Sequence, residues 1–244
     1  MSRVIALLYG IAVYVLFFVT FLYAIAFVGD FLVPKTINSG AQGDLVTAII
    51  IDVILLGIFA VQHSLMARPF FKRAWTKIVP PAAERSTYVL FSSLALILLY
   101  WLWRPIDGTL WSTSGNVAIA LWIVFAAGWG VVLISTLLID HFDLFGLRQV
   151  WAYFRGQSLP APEFKTPVFY RAVRHPIYLG FLLGFWAIPV MTYGHLLFAI
   201  ACTGYMLIAI QFEEHDLIGT FGNVYVEYRR RVSMIIPWPP RRQM

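Results

Sequence analysis

The run Val4–Val28, VIALLYGIAVYVLFFVTFLYAIAFV, decides the class of fold. It holds 25 residues and no charged side chain. As an α-helix it would rise about 37 Å, enough for a tilted crossing of a hydrocarbon core about 30 Å thick. The run is too long for a signal peptide and lacks a small-residue cleavage site. We therefore interpret it as a retained membrane helix.

The composition extends this interpretation to the whole chain. Of the 244 residues, 60% are hydrophobic, 17% aromatic and 12% charged. A soluble domain has about 45–50% apolar and about 25% charged residues, so we expect an integral membrane protein without nucleic-acid partners. The single cysteine, Cys202, excludes an internal disulfide and a cysteine-based metal site.

Further apolar runs predict further helices. The last two runs are separated only by Tyr193 and Gly194, which predicts a tight helical hairpin. The predicted fold is all-α: a polytopic transmembrane bundle of about six apolar helices, with one membrane domain over residues 1–244 and no soluble domain. The runs after the first are Leu45–Met66, Tyr88–Trp103 (beginning near Glu84), Asn116–Ile139, Pro176–Thr192 and His195–Phe212.

Charge in the loops predicts the orientation. The loops 67–87 and 140–174 and the tail 213–244 are net basic, whereas the two opposite loops are net acidic and neutral. Basic loops stay on the cytoplasmic side of a membrane. We expect a multi-pass protein of the cell membrane whose N-terminus, C-terminal motifs and tail face the cytoplasm.

Three isolated polar positions leave alternatives open. Asp52 lies inside the second run, where a carboxylate is either functional, near the headgroups or bonded to a neighbouring helix. His63 either faces a site or is a hydrogen-bonded histidine at the interface. Asp140-His141-Phe-Asp143 suggests a divalent metal, but no full ligand set accompanies it. We predict no metal there and favour a polar rim around a substrate entrance.

The polar motifs cluster near the C-terminus. Arg171-Ala-Val-Arg174-His175-Pro176-Ile-Tyr178-Leu-Gly180 precedes one apolar run, and Glu213-Glu214-His-Asp-Leu217 follows the next. Proline suits the first position of a helix, so His175 becomes its cap and Tyr178 shares its face. That end would favour an anion, and the two carboxylates a cation. A ligand carrying both charges, such as an amino acid moiety, and a collar of ion pairs both fit this pattern.

Together with Phe221-Gly222-x-x-Tyr225-x-x-Tyr228 and a later proline, these motifs resemble the isoprenylcysteine carboxyl methyltransferase superfamily. Gln62-His63-Ser64, Glu84-Arg85-Ser and Asp140-His-Phe-Asp-Leu-Phe-Gly look like its methanethiol S-methyltransferase branch, near the NnrU-type membrane proteins. The resemblance implies S-adenosylmethionine bound by region 171–237. The cofactor-binding residues it implies are Arg174, His175, Pro176, Tyr178, Glu213, Tyr225 and Tyr228.

The resemblance also implies the reaction. A small apolar thiol, methanethiol above all, would take the methyl group and give dimethyl sulfide within the lipid bilayer. Catalytic roles are expected for Glu214, nearer the methyl group, and for His141, with His63 as a third candidate base. Thr220 replaces the basic residue that some prenylcysteine enzymes carry before Phe-Gly, which favours a thiol.

Other functions remain open at this point. The acceptor could be an isoprenylcysteine carboxylate, another thiol or a lipid amine. Membrane sterol reductases, which use NADPH, resemble the same C-terminal region, and a non-enzymatic transporter is a further alternative. No oligomeric state is predicted.

Overall fold

A computed structural model describes residues 1–41, 43–161 and 163–237. The described chain is almost entirely helical. In chain order the elements are α1 (Arg3–Gly29), α2 (Leu45–Ala67), α3 (Pro69–Trp75), α4 (Pro81–Leu102), β1 (Thr109–Ser112), α5 (Gly115–Ile139), α6 (His141–Leu144), α7 (Leu147–Arg155), α8 (Phe169–Ala172), α9 (Pro176–Trp186), β2 (Val190–Thr192), α10 (Tyr193–Phe221) and α11 (Asn223–Arg231).

Five described helices, α1, α2, α4, α5 and α10, are long and apolar enough to cross a membrane. This confirms the predicted all-α polytopic fold, and no separate soluble domain occurs among the described residues. Three predicted runs match α1, α2 and α5 closely. Helix α4 begins earlier than predicted because Pro81 starts it, and α10 continues past the predicted end at Phe212 to Phe221. The protein is a multi-pass membrane protein.

The predicted hairpin of two equal helices is wrong. Helix α9 has 11 residues and ends at Trp186, and the strand β2 then precedes α10. Pro189 explains the difference, because proline cannot continue a helix and also disfavours helical backbone in the residue before it. Tyr193 and Gly194 begin α10 rather than joining two helices.

The first compact unit holds Met1–Ser112, His141–Pro160 and Val190–Phe198. Within it α1 and α2 both pack on α4, and the amphipathic α7 packs on α1 and α4. The segment between α4 and α5 contains β1, which pairs antiparallel with β2. Val13, Met66, Tyr88 and Val89 form a buried apolar cluster in this unit.

The second compact unit holds Thr113–Asp140, Ala161–Pro189 and the chain from Ala199 onward. Its main packing joins α5 to α9 along their lengths. Thr113 stabilises the chain after α9. Its amide and its hydroxyl both donate hydrogen bonds to the carbonyl of Pro189, at 2.9 and 3.1 Å. The single membrane domain over 1–244 stays a prediction.

Candidate functional site

The first motif forms the start of α9. Pro176 is the first helical residue and His175 is the N-cap, as predicted. Proline is tolerated there because the amide it lacks would have no partner within the helix. The ring of Tyr178 lies 5.6 Å from that of His175, between centroids, so the two side chains do share a face. Both His175 and Pro176 are buried.

Glu214 is the centre of a polar cluster in the second unit. Its Oε1 accepts hydrogen bonds from Nε of Arg174 at 2.7 Å and from Nε2 of His175 at 3.1 Å. Its Oε2 lies 3.6 Å from a guanidinium nitrogen of Arg229. Glu214 is only 5% exposed. A buried carboxylate needs such partners to compensate for its lost hydration, and two guanidinium groups and an imidazole provide them.

Glu213, the preceding residue, has a different environment. Its side chain is 44% exposed, and its Oε2 lies 3.7 Å from Nδ1 of His175, beyond hydrogen-bond distance. The imidazole of His175 therefore lies between two carboxylates, and its Nε2–H donates a hydrogen bond to Glu214. Glu213 keeps a carboxylate that faces solvent.

Arg174 joins this cluster to the chain that follows α11. Its Nη1 donates to the carbonyls of Arg229 at 3.0 Å and Val232 at 2.6 Å. Its backbone amide donates to Ser233 at 2.8 Å, next to a parallel bridge between Val173 and Ser233. Arg174 thus fixes the end of α11 against the start of α9.

Two tyrosines of α11 line the same cluster. The hydroxyl of Tyr228 donates to the carbonyl of Tyr170 at 2.5 Å. Tyr225 is 2% exposed, and its hydroxyl has no hydrogen-bond partner among the described residues. The ring of Phe164 packs on both, with centroids 5.8 Å from Tyr225 and 5.2 Å from Tyr228.

Burial raises the pKa of both phenols. For Tyr228 the pKa rises to about 12. For Tyr225 the negative charge of Glu214 adds to the effect of burial. Both phenols stay protonated at neutral pH, so each hydroxyl is able to donate a hydrogen bond.

The structure collects most of the predicted site residues in the second unit. The predicted site residues in this unit are Arg174, His175, Pro176, Tyr178, Glu213, Glu214, Tyr225 and Tyr228. His141 belongs to the first unit, where its Nε2 lies 2.8 Å from the hydroxyl of Tyr14. It is 6% exposed among aromatic rings, and burial lowers its pKa, which favours the neutral imidazole. Its catalytic role stays a prediction.

Asp52 and His63 both make structural hydrogen bonds in the first unit. Asp52 is fully buried, and its Oδ1 accepts from the amide of Arg104 at 2.9 Å. His63 lies within 2.9 Å of the hydroxyl of Tyr88 and 3.2 Å of that of Ser92. Both side chains thus bond to a neighbouring segment, an interpretation that the sequence left open beside a functional one.

Sequence reasoning missed three contributors to the cluster: Phe164, Tyr170 and Arg229. Phe164 is an aromatic residue in a polar loop, a weak signal. Tyr170 contributes only its carbonyl, which any residue could supply. Arg229 had a usable signal, because it lies four residues after Tyr225 and so on the same face of a helix.

Comparison with curated proteins identifies relatives along almost the entire chain. The chain is 52% identical over 242 residues to the methanethiol S-methyltransferase of Mycobacterium tuberculosis, covering 99% of both chains. It is 55% identical over 236 residues to methanethiol S-methyltransferase 2 of Bradyrhizobium diazoefficiens, covering 97% of this chain and 91% of the other. Mouse Nurim is 31% identical over 176 residues, which cover 68% of this chain and 66% of Nurim.

Neither of the other comparisons adds to this result. A search of protein-family models found no match, and no solved structure matches the chain. The identity to the two bacterial methyltransferases extends over more than nine-tenths of each chain and is sufficient by itself to assign the family. The protein belongs to the methanethiol S-methyltransferase family.

Proposed function

We propose that this protein transfers a methyl group from S-adenosylmethionine to methanethiol and releases dimethyl sulfide. The observation that carries the proposal is the 52% and 55% identity, over nearly full length, to two proteins named methanethiol S-methyltransferase. Five membrane-length helices suit a small apolar substrate that dissolves in lipid. Thr220, in place of a cation that would pair with a carboxylate acceptor, also favours a thiol.

The polar cluster of the second unit fits the amino acid end of S-adenosylmethionine. Tyr225 offers a buried hydroxyl that has no acceptor within residues 1–41, 43–161 and 163–237. Buried polar groups normally have a partner, so a ligand is a suitable acceptor. Glu213 offers a partly exposed carboxylate for an ammonium group. We infer a cofactor site of seven residues, in which His175, Pro176, Tyr178, Glu213, Tyr225 and Tyr228 hold the cofactor and Arg174 lies beside them.

When bound, S-adenosylmethionine supplies an activated methyl group, which a thiolate takes by in-line displacement, leaving S-adenosylhomocysteine. The residues of the chain then bind the cofactor, align the thiol sulfur with the methyl group and the leaving sulfur, and exclude water. His175 and Pro176 fix the start of α9. Tyr225 and Tyr228 present protonated phenol rings, and an aromatic face beside a sulfonium contributes about 0.5–2 kcal/mol.

The acceptor thiol must lose its proton, because the thiolate is the nucleophile. We propose Glu214 and His141 as alternative bases for this task. Burial lowers the pKa of His141 and so favours the neutral imidazole, the form that can accept a proton. Since Oε1 of Glu214 already accepts two hydrogen bonds, a proton would go to Oε2, which lies 3.6 Å from Arg229.

The charge of the loops supports an orientation with the N-terminus, the motifs and the tail in the cytoplasm. Cysteines introduced singly at Ser39 and Gln157, in a Cys202→Ala background, test it with a membrane-impermeant maleimide on intact cells. Labelling at position 39 alone is expected. Labelling at position 157 alone would show that the orientation is the opposite of the proposed one.

The function is tested by headspace gas chromatography on purified protein given S-adenosylmethionine and methanethiol. We expect dimethyl sulfide from the unaltered protein and little from His175→Ala. If no product forms but S-adenosylhomocysteine binds, the acceptor is wrong, and radiolabelled methyl transfer to other thiols, isoprenylcysteine and lipid amines identifies it. If S-adenosylhomocysteine does not bind, the methyltransferase assignment fails.

A further inference from the structure

Two arginines contact Glu214, and they differ in how many hydrogen bonds each guanidinium already makes. The side chain of Arg174 is 11% exposed, and its Nε and Nη1 make three hydrogen bonds of 2.6–3.0 Å. The side chain of Arg229 is 49% exposed and lies 3.6 Å from Glu214, too far for a hydrogen bond. Arg174 is therefore part of the framework, whereas Arg229 can change partner at little cost.

The position of Arg229 on α11 places it on the same helix face as a buried phenol. Tyr225 and Arg229 are separated by four residues on the same helix and so lie on one face. Tyr225 is the buried phenol whose hydroxyl lacks a partner among the described residues. A half-exposed cation next to a buried donor is an arrangement suited to an anionic group.

A carboxylate is the anion that the proposed cofactor carries. A guanidinium binds a carboxylate through two parallel hydrogen bonds, which few other cations can do. We propose that Arg229 binds the carboxylate of the cofactor's amino acid moiety, and that Arg174 is a positioning residue that holds Glu214 and the end of α11. This assignment rests on the proposed function.

Another explanation of Arg229 needs a matched control. Arg229, Arg230 and Arg231 all lie in the last turn of α11, where cations stabilise the helix dipole. A role in helix stability or in overall charge would be shared by Arg230, its exposed neighbour. Arg230→Gln is therefore the control, since it removes the same charge from the same turn.

The experiment is a binding cycle by isothermal titration calorimetry, with two ligands and three proteins. The ligands are S-adenosylhomocysteine and its analogue with a neutral carboxamide in place of the carboxylate. The proteins are the unaltered chain, Arg229→Gln and Arg230→Gln. We expect Arg229→Gln to weaken S-adenosylhomocysteine binding by about tenfold to a hundredfold, the range of a charged hydrogen bond. It should leave the carboxamide's affinity unchanged, and Arg230→Gln should alter neither.

Two results would overturn the assignment. Equal effects of Arg229→Gln and Arg230→Gln would mean that only charge or helix stability is involved. An equal loss for both ligands in Arg229→Gln would mean that Arg229 acts on another part of the site. Failure of the cofactor proposal is recognised separately, because the unaltered protein would then bind no S-adenosylhomocysteine, and the assignment would fall with it.

Discussion

Gly128 of α5 and Gly180 of α9 bring two helix backbones into direct contact. A Cβ placed on Gly128 would lie 2.7 Å from the carbonyl oxygen of Gly180 and 2.7 Å from the amide nitrogen of Gly184. Gly180 and Gly184 are four residues apart, the spacing by which small residues let membrane helices approach closely. Since α9 begins with the site residues His175 and Pro176, this contact supports the site as well as the fold.

Gly128→Ala is expected to destabilise the protein, whereas Gly130→Ala in the same helix is not. Overpacking costs about 1–3 kcal/mol, which exceeds the roughly 0.5–1 kcal/mol that alanine gains over glycine in a helix. A Cβ on Gly130 would meet nothing within 4 Å. Thermal unfolding in detergent, followed by tryptophan fluorescence, should show a lower Tm for the first variant only. Equal Tm values would contradict the close approach.

Replacing each tyrosine of α11 with phenylalanine should separate binding from stability. Tyr228→Phe leaves the carbonyl of Tyr170 without its donor, and an unsatisfied buried group costs about 1–3 kcal/mol. Tyr225→Phe removes a hydroxyl with no partner among the described residues, so Tm should stay constant or rise. Calorimetry should show weaker S-adenosylhomocysteine binding for Tyr225→Phe. Unchanged affinity there would remove Tyr225 from the proposed site.

The adjacent carboxylates should respond differently to conversion into amides. Glu214→Gln leaves Arg174 and His175 without their charged partner, and breaking a buried ion pair costs about 3–5 kcal/mol. Glu213→Gln alters a side chain that is 44% exposed, so its Tm should remain near that of the unaltered protein. Its effect should appear in cofactor affinity. A large loss of Tm in Glu213→Gln would indicate a structural role instead.

His141 should make the protein less stable as the pH falls below about 6.5, the ordinary histidine value. Burial lowers the pKa of His141 in the folded state. The unfolded chain therefore binds more protons in this range, so the contribution of His141 is complete above pH 6.5 and lost as the pH falls toward its folded pKa. Chemical unfolding at pH 7.5 and 5.5 should show a smaller loss in His141→Gln. The exposed His215→Gln serves as control, and a loss as large as that of the unaltered protein in His141→Gln would contradict the prediction.

The sequence predicted the membrane helices well where hydrophobicity alone decides them. The predicted Val4–Val28 became Arg3–Gly29, and Asn116–Ile139 became Gly115–Ile139. The prediction fails near Pro189, where the apolar run continues but proline excludes helix. The strands β1 and β2 were also missed, because their pairing depends on a long-range contact that leaves no local pattern.

For the candidate site, residue types with a defined chemistry were predictable and backbone contacts were not. His175 as helix cap follows from Pro176 alone. Arg174 donates hydrogen bonds to the backbone carbonyls of Arg229 and Val232. Backbone carbonyls carry no signal in the sequence, so these contacts could not be predicted. For the same reason the acceptor of Tyr228, the carbonyl of Tyr170, became known only from the structure.

The early end of α9 should make the position of His175 and Pro176 less sensitive to bilayer thickness than a full-length span would. Eleven residues rise about 16 Å, roughly half of the hydrocarbon core, so α9 cannot match its length to the lipid. Non-helical backbone within a membrane is tolerated only where protein covers it. Ala187 and Ile188 are buried, and Thr113 donates to the carbonyl of Pro189. Helix α9 takes its position from α5 through glycine contacts. We therefore expect hydrophobic mismatch, which tilts full-length spans in thinner or thicker membranes, to leave the start of α9 in place.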